Sequence, residues 1–376
     1  MLSNWDSVIG QQHVKEMLQT AIRHDRLAHA YFLWGSEGIG KDGLAIEFAR
    51  TLLCEKNTDA ACGECASCKK MHTLQHSNVK FIFPLPGGDS EKQEEEGEKL
   101  ENDVLAEVRE QLLEKAVNPY FHIAIPKAKF IRINSIRSLK KESSLSSVEG
   151  GKKIFLIFDA DAMNDAAANS LLKILEEPLP NTHFVITSSR KDQVKPTIIS
   201  RCQMVQCSML TDDEIAGALV ERKTVQEDQA RFIARMANGS YRRALELLGE
   251  DLNARRLDTV AFLRSVLGNS SIKLFEEHEK YLSGNKREEA EQLLTLLLVW
   301  FRDAFVVREQ WTTSVMNSDQ QRDLQSFVAK FAERDIDKCM QAVERALELL
   351  RRNVYLPLVM LSLTVQLRRI LNAKNV

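Results

Sequence analysis

Residues 35–42 read Gly35-Ser36-Glu37-Gly38-Ile39-Gly40-Lys41-Asp42, and seven of these eight positions satisfy G-x-x-x-x-G-K-[ST]. Glycines at that spacing let backbone N–H groups wrap phosphate oxygens, the lysine neutralises β/γ charge, and the helix that follows adds its N-terminal dipole. The flanks supply what the motif needs. Ala30–Trp34 (AYFLW) is a short apolar run stopped by Gly35, the pattern of a buried strand, and Asp42–Leu53 has helical spacing. Val14–His24 is an amphipathic helical stretch just upstream. Strand, glycine loop and helix open an α/β unit, so the reading is a P-loop domain with Gly35, Gly38, Gly40 and Lys41 as the phosphate-facing set.

Working outward, Lys153–Phe158 (KIFLIF) is continuous, aromatic and β-branched, hence a strand buried on both faces as in a parallel sheet. His183–Thr187 reads as another buried strand and Phe130–Ile133 as a short one. Ser135–Ser147 and Ala166–Glu177 read as helices, the second ended by Pro178. After about residue 208 strand signals vanish. Thr211-x-x-Glu214 has capping-box spacing, Ala230–Met236 and Arg242–Leu248 are helical, and the chain from 253 onward reads helical throughout. There Met340, Val343, Leu347 and Leu350 recur at intervals of three and four. No internal repeat is visible. Two segments interrupt the α/β pattern: a cysteine-rich insert at 54–68, and residues 84–129. The latter open with Pro84, Pro86, Gly87 and Gly88 and carry EKQEEEGEKLEND, an acidic insertion expected to be solvated and partly helical or mobile. The expected architecture is a 1–208 α/β P-loop domain with a parallel sheet, a 209–252 helical lid and a 253–376 all-α domain.

Composition bounds the functions. A length of 376 residues suggests two or three domains, and 44% hydrophobic with 28% charged residues excludes disorder throughout. The balance of 51 basic against 53 acidic residues, a net of −2, excludes a generally basic nucleic-acid coat. The most apolar runs, Leu293–Phe301 and Tyr355–Val365, are too short to span a bilayer. The N-terminal MLSNWDSVIG lacks the basic-then-apolar pattern of a secretion signal, so a cytoplasmic protein with reduced thiols is expected.

The eighth position of the glycine loop is Asp42 where a hydroxyl should ligate Mg²⁺. A carboxylate facing a triphosphate costs about 4 kcal/mol per charge pair at an effective dielectric near 20. Asp42 is therefore read as a helix-start residue in a loop that no longer holds nucleotide. The strand 154–158 ends in Asp159-Ala160-Asp161: an acid is in place for the metal, but Ala160 has no proton acceptor to polarise water. Asp161 is two residues on and would need a backbone change to substitute. Two independent defects argue against ATP hydrolysis, while binding without turnover stays open because Lys41 and the glycines remain.

The cysteines run Cys54-x7-Cys62-x2-Cys65-x2-Cys68, a set of four thiolates suited to tetrahedral Zn²⁺ with no open position, hence a structural role. Free thiols or a redox pair are the alternative. His72 and His76 are expected at the surface, and Cys202, Cys207 and Cys339 as ordinary partly buried cysteines. Ser200-Arg201-Cys202 follows the last expected strand, where an arginine can reach a neighbouring subunit's nucleotide; the alternative is a surface ion pair. Arg242, in Gly239–Leu245, is expected to pack the lid on the α/β domain. Arg132, Arg137, Lys140 and Lys141 form a basic helix start that faces either DNA or solvent.

Val8-Ile9-Gly10-Gln11, Leu27–Tyr31, the Gly35–Lys41 loop, the Cys54–Cys68 insert, Asp165–Pro178 (DAAANSLLKILEEP), Ser200-Arg201-Cys202 and Gly239–Leu245, in this order, resemble the clamp-loader branch of the AAA+ family. The Ala-Asn-x-Leu-Leu-Lys-x-Leu-Glu-Glu-Pro run is the most specific of them, and 84–129 departs from the pattern. The resemblance implies a RecA-like domain with a zinc module, a lid and a C-terminal collar domain. It implies a heteropentamer with ATPase motor subunits (gamma/tau) and a delta subunit, which loads the sliding clamp of bacterial DNA polymerase III onto primer–template DNA. Asp42 and Ala160 fit the non-hydrolysing type of subunit, a stator whose Arg201 completes a neighbour's ATP site. The competing readings are a motor-type ATPase and a general DNA-binding module.

Overall fold

Five short strands form one sheet in the computed structural model, which describes residues 4–56, 59–87, 102–144, 151–177, 180–249, 252–268, 286–311, 315–317, 320–352 and 354–372. The strands are β1 (Ala30–Trp34), β2 (Val79–Ile82), β3 (Lys153–Ile157), β4 (Thr182–Ser188) and β5 (Gln203–Gln206), in the order β2-β3-β4-β1-β5. Every pairing is parallel. All seven residues of β4 are buried, as are four of the five in β1 and in β3, which is why these runs carry apolar side chains on both faces. The order places the C-terminal ends of β3, β4 and β1 side by side. Asp159, Ser188 and Gly35 therefore share one edge of the sheet, the edge at which ligands of open parallel sheets bind.

Helices α1 (Gln12–Arg23), α2 (Lys41–Leu52), α3 (Ala66–Met71), α4 (Asn102–Val117), α5 (Ile133–Ser144), α6 (Asp165–Glu176) and α7 (Pro196–Ile199) accompany the sheet. Three more follow: α8 (Asp212–Lys223), α9 (Glu227–Ala237) and α10 (Tyr241–Gly249). The Thr211 hydroxyl accepts from Glu214 N at 3.2 Å while the Glu214 carboxylate accepts from Thr211 N at 2.8 Å, so the capping box starts α8 as expected.

The chain divides into two compact units, Met1–Glu246 and Leu247–Val376. The second is helical: Leu252–Leu267, Arg287–Arg308, Gln321–Lys330, Ile336–Arg351 and Leu356–Asn372 surround a core that includes Phe301, Leu324, Val343, Leu350 and Leu367. Val343, Leu347 and Leu350 lie in that core and Met340 packs against it. Among the described residues no helix is long and apolar enough to cross a membrane.

Two expectations differ from the structure. Phe130–Ile133 is not a strand. Phe130 and Ile131 make single bridges to Leu85 and Met163, and α5 begins at Ile133 because Ile136 and Leu139 are buried at helical spacing. The expected helix end at 145–147 and the acidic run at 88–101 lie outside the described residues. The remainder of the expected solvated insertion is not uniformly solvated: α4 leads into a segment whose Lys115, Tyr120, Ile123 and Ile125 are buried.

Candidate functional site

The glycine loop adopts the backbone its sequence demands. Gly38 has φ +72° and Gly40 φ +99°, the left-handed region, and a Cβ on Gly38 would lie 2.1 Å from Ser240 Oγ, just before α10. Lys41 is buried; its ammonium donates to Ser36 O at 2.7 Å and to Ser189 Oγ at 3.0 Å, and burial lowers its pKa. From α10, Arg242 N donates to Gly38 O at 3.3 Å and its guanidinium lies 3.0 Å from Glu37. Arg242 thus joins α10 to the glycine loop itself.

Asp42 is more than a helix-start residue. Thr187 Oγ1, near the end of β4, donates to Asp42 Oδ1 at 2.7 Å, and Lys115 Nζ lies 3.0 Å from Asp42 Oδ2. Burial opposes the Asp42 charge, but Lys115, Lys41 and the Thr187 hydroxyl outweigh it and hold the carboxyl below its usual range. Lys115 also donates to Phe121 O and lies 5.5 Å from the centre of the Phe158 ring. Asp159 is in the opposite condition. Burial, then the charges of Asp42 and Asp161, push it up to about 7, and His122 Nδ1 lies 3.8 Å from its Oδ2. Asp161 accepts from Ser188 Oγ at 2.6 Å, turned to the end of β4. Ala160 is buried and offers no proton acceptor.

These groups enclose a small cleft. Gly38, Gly40 and Lys41 face Lys115, Tyr120 and Arg242 across a space on the order of 30 Å³. Lys115, Tyr120 and His122 escaped the sequence reading. The approach is non-local, Lys115 being 73 residues from Asp42 along the chain, and the one local hint was the lysine-and-aromatic content of 115–122 after an acidic run.

Arg201 does not line this cleft. It follows α7, with its side chain 35% exposed, donating to Thr197 O at 3.0 Å and to Glu176 of α6 at 2.9 Å. The surface ion pair is thus present, but with an exposed partner, and such a pair is weak.

Cys54, Cys62, Cys65 and Cys68 converge, with all four Sγ atoms within 4.8 Å of one another. Cys62 N donates to Cys54 Sγ, Cys65 N to Cys62 Sγ and Cys68 N to Cys65 Sγ, at 3.3–3.4 Å. The amides of Glu64 and Cys65 bring the Cys62 thiol down to about 6, favouring its thiolate, whereas burial pushes the Cys68 thiol up. The donor set and its spacing fit a metal ion held by sulfur. His76 is not at the surface. It is buried, its Nδ1 accepts from Asn78 N at 3.1 Å and its Nε2 lies 3.2 Å from Ser67 Oγ, tying the cysteine module to the start of β2. Cys207 and Cys339 are buried outright.

A family model described as DNA polymerase III, delta subunit, matches residues 10–211. The DNA polymerase III subunit delta′ of Bacillus subtilis is 26% identical over 346 residues, 92% of each chain. The delta′ subunit of Pseudomonas aeruginosa is 29% identical over 64% of this chain and 62% of its own. The tau subunit of Bacillus subtilis is 26% identical over 66% of this chain but only 38% of its own length.

Proposed function

The chain belongs to the DNA polymerase III delta-subunit family, in its delta′ clamp-loader branch, and we propose that it is a non-hydrolysing stator of the clamp loader. The observation that carries this reading is the paired loss at the P-loop: Asp42 in the hydroxyl position, held by Lys115 and Thr187, and Ala160 beside Asp159. An enzyme that cleaves a phosphoanhydride needs a metal held at the first position and a base at the second, and this cleft offers neither in usable form. The protein then acts as an accessory subunit of a DNA-directed DNA polymerase. Its Arg201 is donated to the ATP site of an adjacent gamma/tau motor, where a guanidinium neutralises charge developing on the transferring phosphate. The exposure of Arg201 and the weakness of its pair with Glu176 support this, because little is lost when a partner's phosphate replaces the carboxylate.

In the same reading the four cysteines hold a structural zinc, residues 209–252 serve as a lid and 253–376 as the collar element that joins motor and delta subunits. The complex acts in the cytoplasm on the sliding clamp and primer–template DNA. Arg201→Ala in the reconstituted loader tests the proposal. Turnover at the neighbouring site falls on the order of 10³-fold, while the variant's own melting temperature stays within the error of a weak surface pair. Unchanged clamp- and DNA-stimulated turnover refutes the arginine's role. Lys41-dependent phosphate release by the purified chain instead establishes the motor-type reading.

A further inference from the structure

A metal–nucleotide complex does not fit the residues of the P-loop cleft, and we propose that the chain occupies that site itself: the Lys115 ammonium stands where the divalent cation would, and Pro119–His122 close the space beside it. The inference rests on the cleft's contacts alone and stands or falls separately from the loader reading.

In a loop of this motif the eighth residue and the acid at the strand end converge on a divalent cation. Here those positions are Asp42 and Asp159, with Thr187 beside them. The cation among them is covalently attached. Lys115 is buried, 3.0 Å from Asp42 Oδ2, and takes a second oxygen, Phe121 O, from its own segment. A buried ammonium with its counter-ion satisfied repels an incoming divalent ion, and displacing it breaks the Lys115–Asp42 pair.

The space beyond the loop is closed by the same segment. Tyr120 is buried, its hydroxyl accepts from Ile9 N at 2.7 Å, and its ring meets Tyr241 edge-on with centroids 4.8 Å apart. A Cβ on Gly40 would lie 3.3 Å from that ring, and a Cβ on Gly43 3.0 Å from Pro119, so the segment is in contact with the start of α2. What is left is on the order of 30 Å³, against roughly 300 Å³ or more for a small-molecule site. Lys41 is also engaged, by Ser36 and Ser189.

The test uses the full-length chain with Mn²⁺ as metal probe and a fluorescent ADP with Mg²⁺ as nucleotide probe. The wild type binds neither saturably, and millimolar Mg-ATP leaves hydrogen exchange in 35–42 and 115–122 unchanged. Lys115→Met exposes Asp42 and Asp159 as an acidic pair and gains Mn²⁺ affinity by at least about tenfold. Lys115→Met with Asp42→Thr leaves no stranded charge at position 42 and restores the motif's hydroxyl; it gains Mn²⁺ affinity while Pro119–His122 still exclude the nucleotide, and it carries the test if the single variant does not fold. Saturable Mg-nucleotide binding by the wild type, slowed exchange in the two segments on adding Mg-ATP, or folded variants that gain no Mn²⁺ affinity overturns the proposal.

Discussion

Replacing Lys115 by methionine keeps the length of the side chain and removes its charge. At 3.0 Å the pair's gross attraction is about 5 kcal/mol at an effective dielectric near 20. Desolvation of both ions offsets much of that, so the pair's net contribution is small. Removing only one partner is different, because Asp42, desolvated and facing Asp159, then lacks its nearest cation. Buried pairs broken in this way lose roughly 3–5 kcal/mol; Asp42 keeps the Thr187 hydroxyl and Lys41, so the lower end, about 3 kcal/mol, applies. In a folding unit the size of Met1–Glu246 that lowers the melting temperature by roughly 6–12 °C. Asp42→Asn combined with Lys115→Met leaves no stranded charge and recovers to within about 1 kcal/mol of the wild type. Differential scanning calorimetry of the four proteins completes the cycle. Additive single effects in the double variant, a coupling below about 0.5 kcal/mol, refute the claim that this ion pair organises the cleft.

Stability also depends on pH through Asp159 and Glu47, both pushed up to about 7, chiefly by burial. Between the ordinary carboxylate range and about pH 7 the unfolded chain has released these protons while the folded chain still holds them, so this contribution falls as pH rises through that window. Asp159→Asn removes its share, and its melting temperature relative to wild type is higher at pH 8 than at pH 5; an equal difference at both values refutes the assignment. Metal removal acts on the cysteine module. Cys62→Ser or a strong chelator releases one metal ion per chain by elemental analysis and lowers the melting temperature, because the converging thiolates lose the ion that neutralises them; an unchanged metal content and melting curve refutes a closed four-sulfur site.

Much of this protein was legible from local pattern. The glycine loop with its strand and helix, the doubly buried β3 and β4, the Thr211–Glu214 box and the four-cysteine spacing each depend on residues close in sequence, where side-chain period and backbone freedom decide the outcome. The parallel order of the sheet followed from strands buried on both faces, which only a covered sheet accommodates. Local pattern misread Phe130–Ile133, where the burial of Ile136 and Leu139 recruited Ile133 into a helix.

Where the charges meet was another matter. By its own flanks Asp42 is a helix-start acid and Lys115 a helix-end lysine, each ordinary on a solvated surface. Only the folded chain brings them to 3.0 Å, lays Tyr120 under Ile9 and turns Arg201 outward to Glu176. The sequence alone determined which elements form and which chemical groups the P-loop has lost. The tertiary structure decided what fills the loss, because the energy of a charge is set by whatever surrounds it in space, and those surroundings come from parts of the chain that no local period connects.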